Sequence, residues 1–274
     1  MPRVGIYVAM AFLATSFAGP SAAHEFWLEP RDFTPEPGSV LEADIKVGQN
    51  FKGNSYSFNP SKFTRFDVIE GERAELVDSR IGDLPAVARL VEAPGPVTLL
   101  HQTTDSILTY TERETFERFV EEEGLDGTLE THASRGLPET GFREVYSRHV
   151  KALAGVGGEG GADRAHGLPV ELVVEGDPYA DPLPEAVTVR ALADGEPMVD
   201  ALVNVFVREG ADGEASERLR PRTDAEGRVT IPLAPGRRYL ANVVLMREPS
   251  PEKAEETGAV WESLWASVTF ATEE

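Results

Sequence analysis

The stretch Gly195-Glu196-Pro197-Met198-Val199-Asp200-Ala201-Leu202-Val203-Asn204-Val205 decides the fold. Asp194, Gly195 and Pro197 supply a turn, and the chain then alternates in a run from Ala201 to Arg208. Leu202, Asn204 and Phe206 on one face and Val203, Val205 and Val207 on the other are mostly apolar. A strand of that kind belongs inside a sheet, covered on both sides. The same punctuation continues outward. The turn Thr223-Asp224-Ala225-Glu226-Gly227 precedes a strand from Arg228 to Leu233. After Pro235-Gly236 the run Arg238 to Met246 presents Tyr239, Ala241, Val243 and Leu245 as one buried face. Further strands are expected over Pro169 to Glu175, Ala186 to Leu192, Glu217 to Arg222 and Leu264 to Thr272.

Toward the N-terminus the pattern is again short runs of Val, Ile, Thr, Phe and Tyr between Gly, Pro and Asp clusters, which predicts β-sandwiches rather than alternating βα units. The runs are Val40 to Val47, Lys62 to Ile69, Ala74 to Asp78, Ala86 to Glu92 and Val97 to Thr103. One segment departs from them. Thr111-Glu112-Arg113-Glu114 has the spacing of a capping box, and Phe116, Phe119 and Val120 fall on one helical face, so a short helix is expected over 112–122, closed by Gly124. The loop that follows, 125–140, carries His132. From Phe142 to Leu153 the helical and extended periods conflict, and a helical start passing into a strand is expected. Six glycines among the thirteen residues 155–167 read as a flexible linker. The expected organisation is therefore a mainly β chain. It has an N-terminal β-sandwich over 24–154, a short helical insertion, the linker, and a C-terminal sandwich of Ig-like or prealbumin-like type over 168–274.

The series from Gly195 through Thr223-Asp224 and Gly227 to Pro235-Gly236 and Tyr239 resembles the prealbumin-like, carboxypeptidase-regulatory-like β-sandwich. Taken whole, the chain resembles a narrower group of exported proteins, the domain-of-unknown-function 4198 family, often described as NikM-type proteins of nickel uptake. The resemblance rests on His24-Glu25-Phe26-Trp27-Leu28-Glu29-Pro30, on the segment Glu144 to Leu153, on the prealbumin-like middle, and on the closing Trp261 to Phe270. It implies a role in handling a transition metal, with a component of an inner- or outer-membrane transporter as partner. The chain departs from a His-Met pair associated with relatives: Met246 is present, with no histidine beside it.

The first residues read as a secretory signal peptide over 1–23: Arg3, an apolar run from Val4 to Ala18, and small residues before a cut between Ala23 and His24. Export to the periplasm is expected, and no later apolar run is long enough for a membrane helix. The formal net charge is −21, and losing Arg3, the only charge among the first 23 residues, makes the mature value −22. Such a surface repels nucleic acid and anionic lipid. With no cysteine there is no disulfide, thiolate metal site or thiol nucleophile. No nucleophile elbow, phosphate-cradling loop or dinucleotide fingerprint is present, so an enzyme is not expected.

Cleavage would leave His24 with a free α-amine beside its ring nitrogen, a chelate that needs no help from the fold. Imidazole suits nickel, cobalt and copper, and His101, His149 and His132, with Glu25 or Glu29, are the expected companions. His132 and His166 stand in expected loops, with solvent exposure as the default. Glu121-Glu122-Glu123 reads as a solvated helix end. Phe26, Trp27, Trp261 and Trp265 are expected to plug sandwich ends, with Trp27 near Trp265. The competing reading is a non-catalytic scaffold or adhesion module attached to a membrane receptor; a copper oxygenase built on the N-terminal histidine has no supporting local motif.

Overall fold

A computed structural model describes residues 25–211, 213 and 215–274. The signal peptide expected over 1–23, and His24, lie outside the described residues. The N-terminal half contributes β1 (Glu25–Pro30), β2 (Ser39–Gln49), β3 (Lys52–Tyr56), β4 (Phe63–Glu70), β5 (Arg73–Leu76), β6 (Val87–Val91), β7 (Gly95–Thr103), β8 (Ser106–Tyr110), helices α1 (Arg113–Glu122) and α2 (Thr128–Ser134), and β9 (Phe142–Val156). The C-terminal half adds β10 (Val170–Glu175), β11 (Ala186–Ala193), β12 (Glu196–Pro197), β13 (Asn204–Glu209), β14 (Glu217–Leu219), β15 (Arg228–Pro232), β16 (Arg237–Arg247), α3 (Pro251–Thr257) and β17 (Ala259–Ala271).

Two sandwiches share one sheet. Nine strands run β14-β13-β16-β17-β9-β7-β4-β5, with β8 also on β9, and cross from one half of the chain to the other. The sheet β1-β2-β3 with β6 covers the N-terminal part, enclosing Leu28, Leu41, Phe66, Val68, Leu99 and Val150. The sheet β10-β11-β12 with β15 covers the opposite face of the C-terminal part, enclosing Leu172 and Val174 with Val205, Tyr239, Val268 and Phe270. Strand parity keeps the faces apart. On β17, Leu264, Ala266, Val268 and Phe270 enter the C-terminal core, whereas Trp261 and Trp265 meet the helices and Ser267 and Thr269 bond to β1.

Several local expectations change. The segment from Phe142 is one fifteen-residue strand with no helical start, because β9 lies inside the sheet between β17 and the β7 and β8 strands, and burial on both faces blurs the period of two. The loop around His132 holds α2. The helix over 113–122 forms as expected, but Glu112 occupies its N-cap without a side-chain bond, so the capping-box spacing is unused. The glycine-rich segment is tied down: the N–H groups of Gly155 and Gly157 donate to the carbonyls of Phe33 and Pro35, and that of Asp163 donates to the Val174 carbonyl. Trp27 and Trp265 are both buried but in separate clusters, although β1 does cross β17. Among the described residues no helix is long and apolar enough to cross a membrane.

Candidate functional site

Strand β1 packs against β9 and β17, and its alternate side chains Trp27 and Glu29 reach two cross-strand pairs of β13 and β16, Phe206 with Leu240 and Arg208 with Arg238. Glu29 takes the arginine pair. Its Oε1 accepts from Arg238 Nη1 at 3.0 Å and from Arg208 Nη2, while its Oε2 accepts from Trp27 Nε1 at 3.1 Å. Trp27, fully buried, packs with Phe206, Leu240 and Phe51. Asn50 and Phe51 turn the β2–β3 hairpin with φ of 53° and 59°, a left-handed conformation that costs a residue bearing a Cβ about 1–2 kcal/mol. Phe51 is held there by its buried ring, set beneath the Arg208 guanidinium, and by its carbonyl, which accepts from Arg208 Nη1 at 2.6 Å. The Ser267 and Thr269 hydroxyls donate to the carbonyls of Phe26 and Leu28.

This docking delivers the start of β1 to a buried polar group at the seam between the N-terminal sandwich and the helices. Glu123, at the end of α1, accepts from Asn204 Nδ2 at 3.0 Å and from Asn242 Nδ2 at 3.4 Å. Arg218 donates to Asn204 Oδ1 at 2.9 Å. Gly124 closes the helix with φ of +62°, and a Cβ there would come within 2.8 Å of Leu202. Glu25 faces the charges of Glu123 and Arg218, and its buried Oε2 has no hydrogen-bond partner. Burial, reinforced by the Glu123 charge, pushes the Glu25 carboxyl up to about 7; burial does the same to Glu123, with Arg218 and Asn204 opposing.

These shifts set a pH dependence. Between the ordinary carboxyl value of 4.5 and about 7, the folded chain keeps protons that the unfolded chain has released, so the pair withdraws stability as pH rises. His101 and His149 act in the opposite sense. Burial lowers them to about 3 and about 4, so they withdraw stability as pH falls below 6.5. Comparing wild type with Glu123→Gln, both in the presence of a chelator, isolates the carboxyl contribution. In urea unfolding the variant should be the more stable by about 2–3 kcal/mol at pH 8, with the gap closing by pH 4. An equal gap at both pH values would contradict the assignment.

Among the described residues, the sequence-predicted ligands His101, His149 and His132 do not converge. His101 opposes Val150 and Gln102 opposes His149 across β7 and β9, so the pleat sends the two imidazoles to opposite faces. His101 sits among Phe26, Phe63 and Phe66 at ring distances of 5.4, 5.3 and 4.7 Å. Both His101 and His149 leave Nδ1 without a partner. His132 is buried in α2, its Nδ1 accepting from Trp261 Nε1 at 3.0 Å while Nε2 lies 3.0 Å from the Pro138 carbonyl, so neither nitrogen is free for a metal. Glu29 is consumed by its arginines. Met246 packs partly buried against the helical cluster. Among the described residues no three His, Cys, Asp or Glu side chains stand together as a metal site. Glu123 escapes a reading of the sequence because a run of three glutamates looks like solvated surface. The usable signal is its helical spacing from Phe116, Phe119 and Val120, which puts it on the buried face.

The model of the family described as Domain of unknown function (DUF4198) matches residues 21–247, from the predicted cleavage site through β16. The chain belongs to this family. The match takes in β1, Glu123 and both asparagines, so the seam site is built entirely from residues inside the family region. No curated protein matches the chain. Among solved structures, the D0-D1 domain of intimin is similar over 90% of this chain and 98% of that one, at 11% identity and a TM-score of 0.23.

Proposed function

We propose that this family member is a non-enzymatic periplasmic protein that binds a transition-metal ion, nickel, cobalt or copper, with its mature N-terminus, and passes it to a membrane transporter component. The observation that carries the reading is the unpartnered, buried Oε2 of Glu25, beside Glu123 and one residue from the predicted new N-terminus. A His24 amine and imidazole would supply two nitrogen ligands, and Glu25 and Glu123 would supply carboxylate oxygen and compensating charge. Binding would have to displace protons from amine, imidazole and carboxyls, so affinity should rise with pH through 7.

Calorimetric titration with Ni(II), Co(II) and Cu(II) tests this on the mature protein and on a form carrying one extra residue before His24. The extension should weaken binding by about tenfold or more, as losing a ligand does at least as much as losing its supporting contacts. Equal affinity in the two forms would defeat the N-terminal site. Absence of binding for all three ions would favour the scaffold reading, which the shared nine-stranded sheet supports by tying the two sandwiches together.

A further inference from the structure

Away from that seam, on the face of β9 that also carries Leu153, lies a second buried charged group. Lys151 is 1% exposed, and its Nζ lies 2.5 Å from Asp163 Oδ2 and 3.0 Å from Glu171 Oε1. The two carboxylates are 1% and 2% exposed. Leu100 pairs with Lys151 across β7 and belongs to the buried cluster of Ile69, Leu100 and Leu168, while Val268 is its partner on β17. Glu171 is fixed by the backbone N–H groups of His166 and Leu168, which donate to its oxygens at 2.8 to 3.2 Å. Asp163 is held less completely. Its Oδ2 accepts from the Val174 N–H at 3.3 Å, but its Oδ1 has no hydrogen-bond partner, with His166 Nε2, equally unpartnered, 3.5 Å away.

We infer that Lys151 and Asp163 condense to an intramolecular amide, with Glu171 carrying the proton. An amine, a carboxyl and a second carboxylate in water-free contact are what this condensation requires, and holding them in place replaces a bimolecular encounter. The balance closes without a co-reactant. Nζ forms a bond to Asp163 Cγ and one Cγ–O bond breaks. Two of the three ammonium hydrogens leave with that oxygen as water, and the third remains on the amide nitrogen. Glu171 accepts a proton from Nζ and returns it to the departing oxygen. His166 Nε2 faces the carboxyl from the other side, where an N–H would polarise the oxygen that stays. In a chain with no cysteine, such a link would clamp the glycine-rich segment to the shared sheet covalently.

Mass spectrometry of the purified protein under denaturing conditions reads the outcome. The wild-type chain should weigh less than its sequence by one water. After denaturation and trypsin, the peptide 149–164 should survive uncut at Lys151, again lighter by one water, because trypsin does not cleave after an acylated lysine. Lys151→Arg, which cannot condense, should show the full mass, and Glu171→Gln should restore the missing water wholly or in large part. A wild-type chain at full mass overturns the inference. So does a dehydrated chain that trypsin still cuts after Lys151, which would place the lost water elsewhere. Complete condensation in Glu171→Gln would overturn the role given to Glu171.

Discussion

Glu29→Ala should lower the unfolding free energy by about 3–5 kcal/mol, the cost of leaving a buried charge without its partner. Arg208 is 3% exposed and would keep only the carbonyls of Phe51 and Gly210 as acceptors. Arg238 is more open to water and should relax at smaller cost. Trp27 would also lose the acceptor for its indole N–H. The origin of the loss can be separated with Glu29→Ala combined with Arg208→Met, which removes the stranded charge and keeps apolar volume over the Phe51 ring. The double variant should recover a large part of the deficit, because buried ion pairs replaced on both sides by apolar groups are often close to neutral. Urea unfolding measures both. A single variant within about 1 kcal/mol of wild type, the range of surface pairs, would mean that water reaches this site.

Lys151→Met should be comparably severe, at about 3–5 kcal/mol, since Asp163 and Glu171 would remain as two facing charges beside Leu100 and Leu168. The loss is expected whether the three groups are held as ions or condensed, because each arrangement needs the lysine nitrogen. The second readout is local. Asp163 anchors the glycine-rich segment, so the variant should be cut by protease within 155–167 under conditions that leave wild type whole. Unchanged resistance would show that Gly155, Gly157 and the Asp163 backbone suffice to hold the segment.

Much of the fold is legible along the chain. The apolar alternation of Val203, Val205 and Val207 and of Tyr239, Ala241 and Val243 marks the C-terminal core, because side chains on a strand alternate whatever the tertiary context. Phe116, Phe119 and Val120 mark α1 for the same local reason at a different period. Strands β1, β3 and β8 escape such a reading: β3 carries Gly53, Asn54 and Ser55 where apolar residues would mark a strand, β8 turns Ile107 to solvent, and β1 places Glu29 on the same buried face as Trp27. Strand β9 misleads from the opposite cause, since apolar residues on both faces match a helix as well as a strand. The candidate site is half legible. The His24-Glu25-Phe26-Trp27-Leu28-Glu29 segment stands out in the sequence as a source of ligands, whereas Trp27 and Glu29 serve to dock it.

The sequence by itself determined the β architecture, the turns between strands and the faces the strands would bury, because these follow from backbone geometry and solvent exclusion over a few neighbouring residues. Only the tertiary structure decided which charges meet. Glu25 reaches Glu123 because β1 docks on the shared sheet with Trp27 and Glu29 anchored to β13 and β16, and Lys151 reaches Asp163 and Glu171 because the chain after β9 folds back over that sheet. In each case the partner is chosen by packing between distant segments. Burial then changes what the groups can do: the same carboxylates that would be ordinary acids in water become hard to ionise at the seam and lie against an amine under the glycine-rich segment.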